Sequence, residues 1–257
     1  MKIATFNVNS IRTRLPIVID WIAANQPDAL CIQETKVQDK DFPVDEFAST
    51  GYNIIYKGQK SYNGVAIFSK HKFTNIEYSF DDSVGDEARF IKAQINGITI
   101  VNTYVPQGFE MGSEKYQHKL DWLKKLFAYF KKNFTPADNL VWTGDLNIAP
   151  TDKDVYDPIA LDGGVCFNKD LSKVFDGFIE WGFVDLYRLH HKAGGNFSFW
   201  DYRQPNGFKR NLGWRLDHIL AAKPLAENCT TCLIDTKPRL LEKPSDHTFV
   251  IAEVKSL

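Results

Sequence analysis

Five short segments set carboxylate, amide or imidazole side chains against the ends of apolar runs: "FNVN" (6–9), "CIQETK" (31–36), "TGDLN" (143–147), "GWRLDH" (213–218) and "PSDH" (244–247). Each has an ordinary explanation when taken singly. Asn and Asp close turns at strand ends, a Glu before Thr-Lys can sit in a surface ion pair, and a histidine near a chain end is commonly exposed. Together the five are chemically coherent. Glu34, Asp145, Asp217 and Asp246 are oxygen donors, and Asn7, Asn9 and Asn147 are neutral amides beside them. Oxygen-rich sites suit hard cations, and Mg²⁺ takes one or two protein carboxylates while keeping waters and phosphate oxygens as its other ligands. A site that grips a phosphate between a metal and several donors, with a base to activate water, is a site for phosphodiester hydrolysis.

The pair in "KPSDHTFV" (243–250) has three explanations: a turn cap, a self-contained Asp-His couple, or two separate contributions to one site. Lys-Pro-Ser is a turn signal. Side chains of neighbouring residues entering a strand diverge, so Asp246 is a poor partner for His247, and the third explanation is preferred.

The elements that must position these groups follow from periodicity. Strands are expected at 2–8, 29–35, 52–57, 64–69, 90–95, 98–105, 139–150, 196–202, 215–222 and 247–254. Helices are expected at 15–25, stopped by Pro27, at 113–133 and near 170–182. In 113–133, Tyr116, Leu120, Leu123, Phe127 and Phe130 form the apolar stripe, and Lys119, Lys124, Lys125, Lys131 and Lys132 read as a solvated face rather than a DNA patch. Many short strands separated by helices indicate an α/β (α+β) fold of two packed mixed sheets flanked by helices. A two-fold rhythm runs through it. Each half leads from a helix to a buried strand ending in a carboxylate, Glu34 in the first and Asp145 in the second, so the site belongs at one edge of the packed sheets.

Composition narrows the class further. With no linker, low-complexity block or repeat, one domain over 1–257 is expected. No apolar run approaches the roughly 20 residues of a membrane span, and "MKIATFNVN" lacks a signal-peptide core. Four scattered cysteines do not make a disulfide framework, and Cys229 and Cys232 form a lone C-x-x-C, so a cytoplasmic location is expected. A net charge of −1 excludes a basic field over the whole molecule but not a local DNA-binding patch around acidic metal ligands.

The ordered set "FNVNSIR", "LCIQETK", "NTYVPQG", "GDLNIAP", "GWRLDH" and "SDH" closely resembles the exonuclease III family of abasic-site endonucleases, over essentially the whole chain. The resemblance implies a four-layered α/β sandwich and Mg²⁺-dependent hydrolysis (Mn²⁺ as substitute) of the phosphodiester 5′ to abasic sites in duplex DNA, with some 3′-end trimming by a monomer. It makes Glu34 the principal metal ligand, with Asn9 and Asp246 on the metal side and Asn7 beside them. Asp145 would orient or deprotonate the attacking water, held by Asn147. Tyr104 would donate to a phosphate oxygen, and His247 would bind the scissile phosphate with its ring fixed by Asp217. Phe199, Trp214 and Leu216 would line a pocket for a deoxyribose lacking its base.

Residues 196–217 interleave aromatic rings with Arg203, Arg210 and Arg215, as a DNA-contacting segment requires. Lys36, Arg89 and Gln107 are further candidate phosphate contacts. The alternatives are a phosphodiesterase of the same fold acting on a small or lipid phosphoester, and a non-catalytic DNA-binding module.

Overall fold

In "KIATFN", Ile3 and Thr5 point one way and Ala4 and Phe6 the other, yet all four are fully buried. A strand buried on both faces has to lie between two covering layers. The structure, a computed structural model, describes residues 1–81 and 87–255. Its strands run as β1 (Lys2–Asn7), β2 (Ala29–Gln33), β3 (Asn53–Lys57), β4 (Val65–Ser69), β5 (Thr74–Glu77) and β6 (Phe90–Ile95). They continue as β7 (Ile98–Tyr104), β8 (Leu140–Asp145), β9 (Phe183–Asp185), β10 (Asp217–Ala222), β11 (Cys229–Asp235) and β12 (Phe249–Val254). The helices are α1 (Ile11–Asn25), α2 (Glu114–Asn133), α3 (Pro158–Leu161), α4 (Lys169–Trp181), α5 (Leu186–His190) and α6 (Lys223–Glu227).

Two six-stranded sheets result, ordered β11-β12-β1-β2-β4-β3 and β5-β6-β7-β8-β10-β9. Read across either sheet, the pairings are antiparallel, antiparallel, parallel, antiparallel, antiparallel. The two-fold rhythm of the sequence is therefore a repeat of topology. A parallel pair needs a crossover, and α1 links β1 to β2 as α2 links β7 to β8. Both crossovers return the chain so that paired strands end together: Asn7 lies opposite Gln33, and Tyr104 opposite Asp145. With β1 packed on β8 and β10, these ends share one edge of the sandwich.

Ile3, Ile67, Ile100, Val141, Ile219 and Val250 fill the space between the sheets. Phe6, Trp21, Ile22 and Phe249 join the first sheet to α1, and Trp122, Phe130, Trp142 and Phe178 join the second to α2 and α4. One polar bridge crosses the inter-sheet core. Gln33 donates to Thr5 Oγ1 at 2.9 Å and to Asn102 Oδ1 at 2.7 Å, while Asn102 donates to the carbonyls of Ile32 and Ala66. Buried amides need partners, so this bridge fixes the register of one sheet on the other directly beneath Asn7 and Glu34.

Several expectations are corrected. Residues 196–202 make no regular strand; Phe199 forms single bridges to Trp214 and His247, because this segment packs against two different neighbours in turn. Helix α1 starts at Ile11, a turn earlier than expected, with Pro16 inside it. Strands β5, β9 and β11 were not expected. Cys229 and Cys232 lie in β11 as free thiols, both pushed up by burial. Lys119 is not solvated but fully buried.

Arg215 is corrected too: it is 1% exposed and cannot reach DNA. Its guanidinium donates to Asp154 Oδ1 and Asp185 Oδ2, each at 2.7 Å, with Arg188 also on Asp154. Against the cost of burial, Arg215 holds both carboxyls below their usual range. Arg215 also approaches Nδ1 of His218 at 3.1 Å, while Nε2 of that ring contacts the Ile148 carbonyl at 2.8 Å. A guanidinium only donates and a carbonyl only accepts, so His218 is neutral, with its proton on Nε2. Burial and Arg215 together push His218 down to about 4.

Two outcomes follow. Arg215→Met should destabilise the fold by about 3–5 kcal/mol in urea unfolding, because two buried carboxylates lose their partner. An unfolded histidine takes up its proton near pH 6.5 whereas His218 waits until about 4, so its depressed folded value removes stability as the pH falls through that window. The stability of His218→Gln relative to wild type should therefore rise by about 3 kcal/mol between pH 7.5 and 4. A pH-independent difference would show that His218 protonates normally.

Candidate active site

The loops at the shared sheet edge depart from ordinary backbone. Asn9, Glu34, Lys36 and Asn147 have φ of 44°, 53°, 55° and 50°. Asn bears this left-handed conformation readily, but Glu and Lys pay for it, at roughly 1–2 kcal/mol each. Neighbouring backbone holds them there. Ser10 N–H donates to the Glu34 carbonyl at 2.8 Å, Thr35 N–H to Gly64 at 3.1 Å and Lys36 N–H to Asn63 at 2.9 Å. Gly64 is obligatory: its φ is +93°, and a Cβ there would lie 1.9 Å from Thr35 Oγ1.

The groups so positioned converge on Asn7. Its amide nitrogen donates to Glu34 Oε1 and to Asp145 Oδ2, both at 2.8 Å, and its Oδ1 accepts from Asn9 N–H at 2.9 Å. Glu34, Asp145 and His247 each offer an atom within 4.8 Å of the others. His247 Nδ1 lies 2.7 Å from Asp217 Oδ2, and its Nε2 lies 3.7 Å from Asp145 Oδ2. The closest carboxylate to the imidazole is therefore Asp217, while Asp246 accepts from Asn9 Nδ2 at 3.0 Å.

Electrostatics separates the roles. Burial disfavours a charged imidazole, but Asp217 and Asp145 outweigh it and raise His247 to about 10. His247 is thus a cation at neutral pH. Burial, with Asp217 and Glu34, raises Asp145 well above the usual carboxylate range, opposed by His247. Burial acts the same way on Glu34, yet Lys36 at 2.8 Å and the Asn7 amide hold its carboxyl low. Tyr104 is raised by burial and by the charges of Glu34 and Asp145, so its phenol stays protonated. Asp145 Oδ1 accepts from Asn147 N–H at 2.9 Å, and the Asn147 side chain donates to the Val105 carbonyl.

Glu34, Tyr104, Asp145, Asn147 and His247 line a cavity of about 480 Å³ together with Leu161, Val165, Phe167, Phe199, Trp214 and Leu216, and all of these apolar residues but Val165 belong to one cluster. The Phe199 ring lies tilted against the His247 ring at 4.8 Å and against Trp214 at 5.6 Å. Gln107, Arg203 and Asp246 also reach the cavity. Arg203 is exposed and pairs with Asp201 at 2.7 Å. Arg210 is exposed on the 201–212 turns and does not line the cavity. Arg89 packs on the Tyr104 ring and pairs with Glu87. Lys36 also donates to Asn9 Oδ1 at 2.5 Å, so Asn9 is held between Lys36 and Asp246.

Two contributors were missed. Arg14 ties the Asn9 carbonyl at 2.8 Å to the Pro244 carbonyl at 3.0 Å. Ser245 donates to the Asn7 carbonyl at 2.7 Å and accepts from His247 N–H at 3.2 Å. Ser245 had a signal, since it stands in the "PSDH" turn; Arg14 had none, because nothing local links it to residue 244.

This arrangement has counterparts among known proteins. Over 268 residues the chain is 34% identical to exodeoxyribonuclease III of Haemophilus influenzae, covering 99% of this chain and 100% of that protein. An AP endonuclease structure from Archaeoglobus fulgidus superposes with a TM-score of 0.97 at 48% identity, covering 100% of both chains. A 3′-5′ exonuclease from Neisseria meningitidis superposes with a TM-score of 0.96 at 34% identity, again over 100% of both. The model of the Endonuclease/Exonuclease/phosphatase family matches residues 4–247, from the start of β1 to His247. With its two mixed sheets and with Glu34, Asp145 and His247 gathered at their shared edge, the chain belongs to that family.

Proposed function

We propose that this protein is a DNA-repair nuclease that hydrolyses the phosphodiester 5′ to an abasic site in duplex DNA. The observation that carries this reading is a single cavity lined both by charged groups and by an apolar cluster. A phosphodiester needs the first, and a sugar without its base fits the second. The relatives named above are an AP endonuclease, an exodeoxyribonuclease III and a 3′-5′ exonuclease, which supports the same chemistry on DNA.

The donor set fits a hard divalent cation. Glu34 presents carboxylate oxygens at the cavity, with the neutral amide of Asn7 between it and Asp145 and with Asp246 on the same cavity. His247, tied through Nδ1 to Asp217 at 2.7 Å, is assigned to the phosphate rather than to the cation. Mg²⁺ is the ion we propose; Glu34 would hold it, with Asn9 and Asp246 on the metal side, and Mn²⁺ is its substitute. When bound, it neutralises charge that develops on the phosphate oxygens.

The chain's own residues supply the rest. Asp145, raised toward neutrality, accepts the proton of the attacking water, and Asn147 N–H fixes the direction of its carboxylate. His247 donates from Nε2 to a phosphate oxygen, and Asp217 keeps both its proton and its orientation. Tyr104 donates a second hydrogen bond from its protonated phenol. Phe199, Trp214 and Leu216 receive the deoxyribose and exclude a nucleotide that retains its base, by size. Lys36, Arg89, Gln107, Arg203 and Arg210 engage flanking phosphates. A 3′-terminal group without a base enters the same cavity, so some 3′-end trimming accompanies the internal cut. The protein acts as a monomer.

EDTA should abolish nicking of an abasic duplex, and Mg²⁺ should restore it. Asp145→Asn should lower kcat on that substrate by about 10²–10⁴-fold, the usual worth of a general base. Wild-type turnover by this variant, or preferential turnover of a lipid or inositol phosphodiester by the wild type, would overturn the assignment. Trp214→Ala should narrow the preference for abasic over intact duplex in parallel kcat/KM measurements. An unchanged ratio would show that the apolar cluster does not select the substrate.

A further inference from the structure

Lys119 lies on the apolar stripe of α2, three residues after the buried Tyr116 and four before the buried Leu123. Its ammonium donates to three backbone carbonyls: Asn147 at 2.7 Å, Val165 at 2.8 Å and Gln107 at 3.2 Å. An ammonium has three N–H donors and no acceptor, so every donor is used. Burial pushes Lys119 below the ordinary lysine range, with Cys166 and Asp145 opposing that shift.

The three acceptors belong to separate stretches of chain, and all three residues line the active-site cavity. Gln107 follows β7, Asn147 follows β8, and Val165 lies between α3 and α4. The fit is close. Gly108 has φ of +97°, and a Cβ there would come within 2.9 Å of Val165 Cγ2 and 3.2 Å of Lys119 Cδ. Asn147 holds a left-handed backbone, and a conformation of that kind persists only where its surroundings over-determine it. Here Lys119 binds its carbonyl, Asp145 its N–H and Val105 its side-chain amide.

We propose that Lys119 is a positioning residue: its buried ammonium clamps the Gln107, Asn147 and Val165 segments together and thereby holds Asn147 N–H on the Asp145 carboxylate. This rests on the reading of Asp145 and Asn147 as the groups that prepare the attacking water. Nothing in Lys119 touches the substrate; it acts through Asn147.

A double-mutant cycle on abasic duplex with saturating Mg²⁺ tests it. Lys119→Met should lower kcat on the order of 100-fold, the scale of a misplaced catalytic group, with KM changed far less. Asn147→Ala removes the Val105 bond that holds the same left-handed backbone, so Lys119→Met combined with it should be within about threefold of Asn147→Ala alone, as for groups acting through one another. Leu126→Ala, a core truncation on the same helix, should lower the Tm and leave kcat unchanged. Multiplying effects in the double variant, or a wild-type kcat in folded Lys119→Met, would overturn the inference. If Lys119→Met does not fold, Lys119→Gln replaces it in the same cycle, with the same two outcomes decisive. Full activity in Asn147→Ala would instead sink the reading of the site itself.

Discussion

One neutral amide holds the two halves of this protein in catalytic register. Asn7 ends β1 in the first sheet, and its two N–H groups are divided between Glu34 of that sheet and Asp145 of the second. Two carboxylates so close together repel, and burial makes the repulsion worse. A carboxamide between them supplies donors without a third negative charge. Both of its hydrogens are thereby committed, so its 3.4 Å approach to His247 Nε2 is a contact rather than another donated bond. Because the two acceptors come from different sheets, the bonds of Asn7 also fix the packing of the sandwich at the edge where the chemistry lies.

Around that amide, burial is uniform but its consequences are not. Glu34 keeps its charge because Lys36 and Asn7 oppose desolvation. Asp145 is raised by burial and by the charges of Asp217 and Glu34. His247 stays a cation because Asp217 sits at 2.7 Å on one side and Asp145 at 3.7 Å on the other. Two carboxylates and one imidazole thus take up different protonation behaviour within a few ångströms. The separation comes from partner placement and not from residue type.

Buried cations away from the reacting groups show the same principle used for support. Arg215 joins β10 to Asp154 and Asp185, and Lys119 joins three loops. Each replaces hydration with hydrogen bonds from every side-chain nitrogen. Both had been assigned to the surface from sequence, because Lys and Arg are seldom buried unless fully paired. The partners that pair them lie 30 and 61 residues from Arg215 and as many as 46 from Lys119. No local pattern announces contacts at that range, although the position of Lys119 on the apolar stripe of α2 was a legible hint.

The fold itself was legible where periodicity is strong. The buried strands that carry Asn7, Glu34, Tyr104 and Asp145, and the long amphipathic α2, follow from apolar runs and helical spacing, and the matching halves from their order. The short β5 and β9 and the half-exposed β11 lacked that signal, and 196–202 alternated like a strand while lying in no sheet. The residues that gather at the candidate site likewise stand in the ordered polar segments at strand ends. In "PSDH", chain geometry alone argued that Asp246 would not serve the adjacent imidazole. What sequence cannot hold is distance. Only the stacking of two sheets, with β1 against β8 and β10, decided that Asn7 touches Asp145, that Asp217 takes His247, and that Arg215 turns inward, because each of those contacts joins residues that no local interaction brings together.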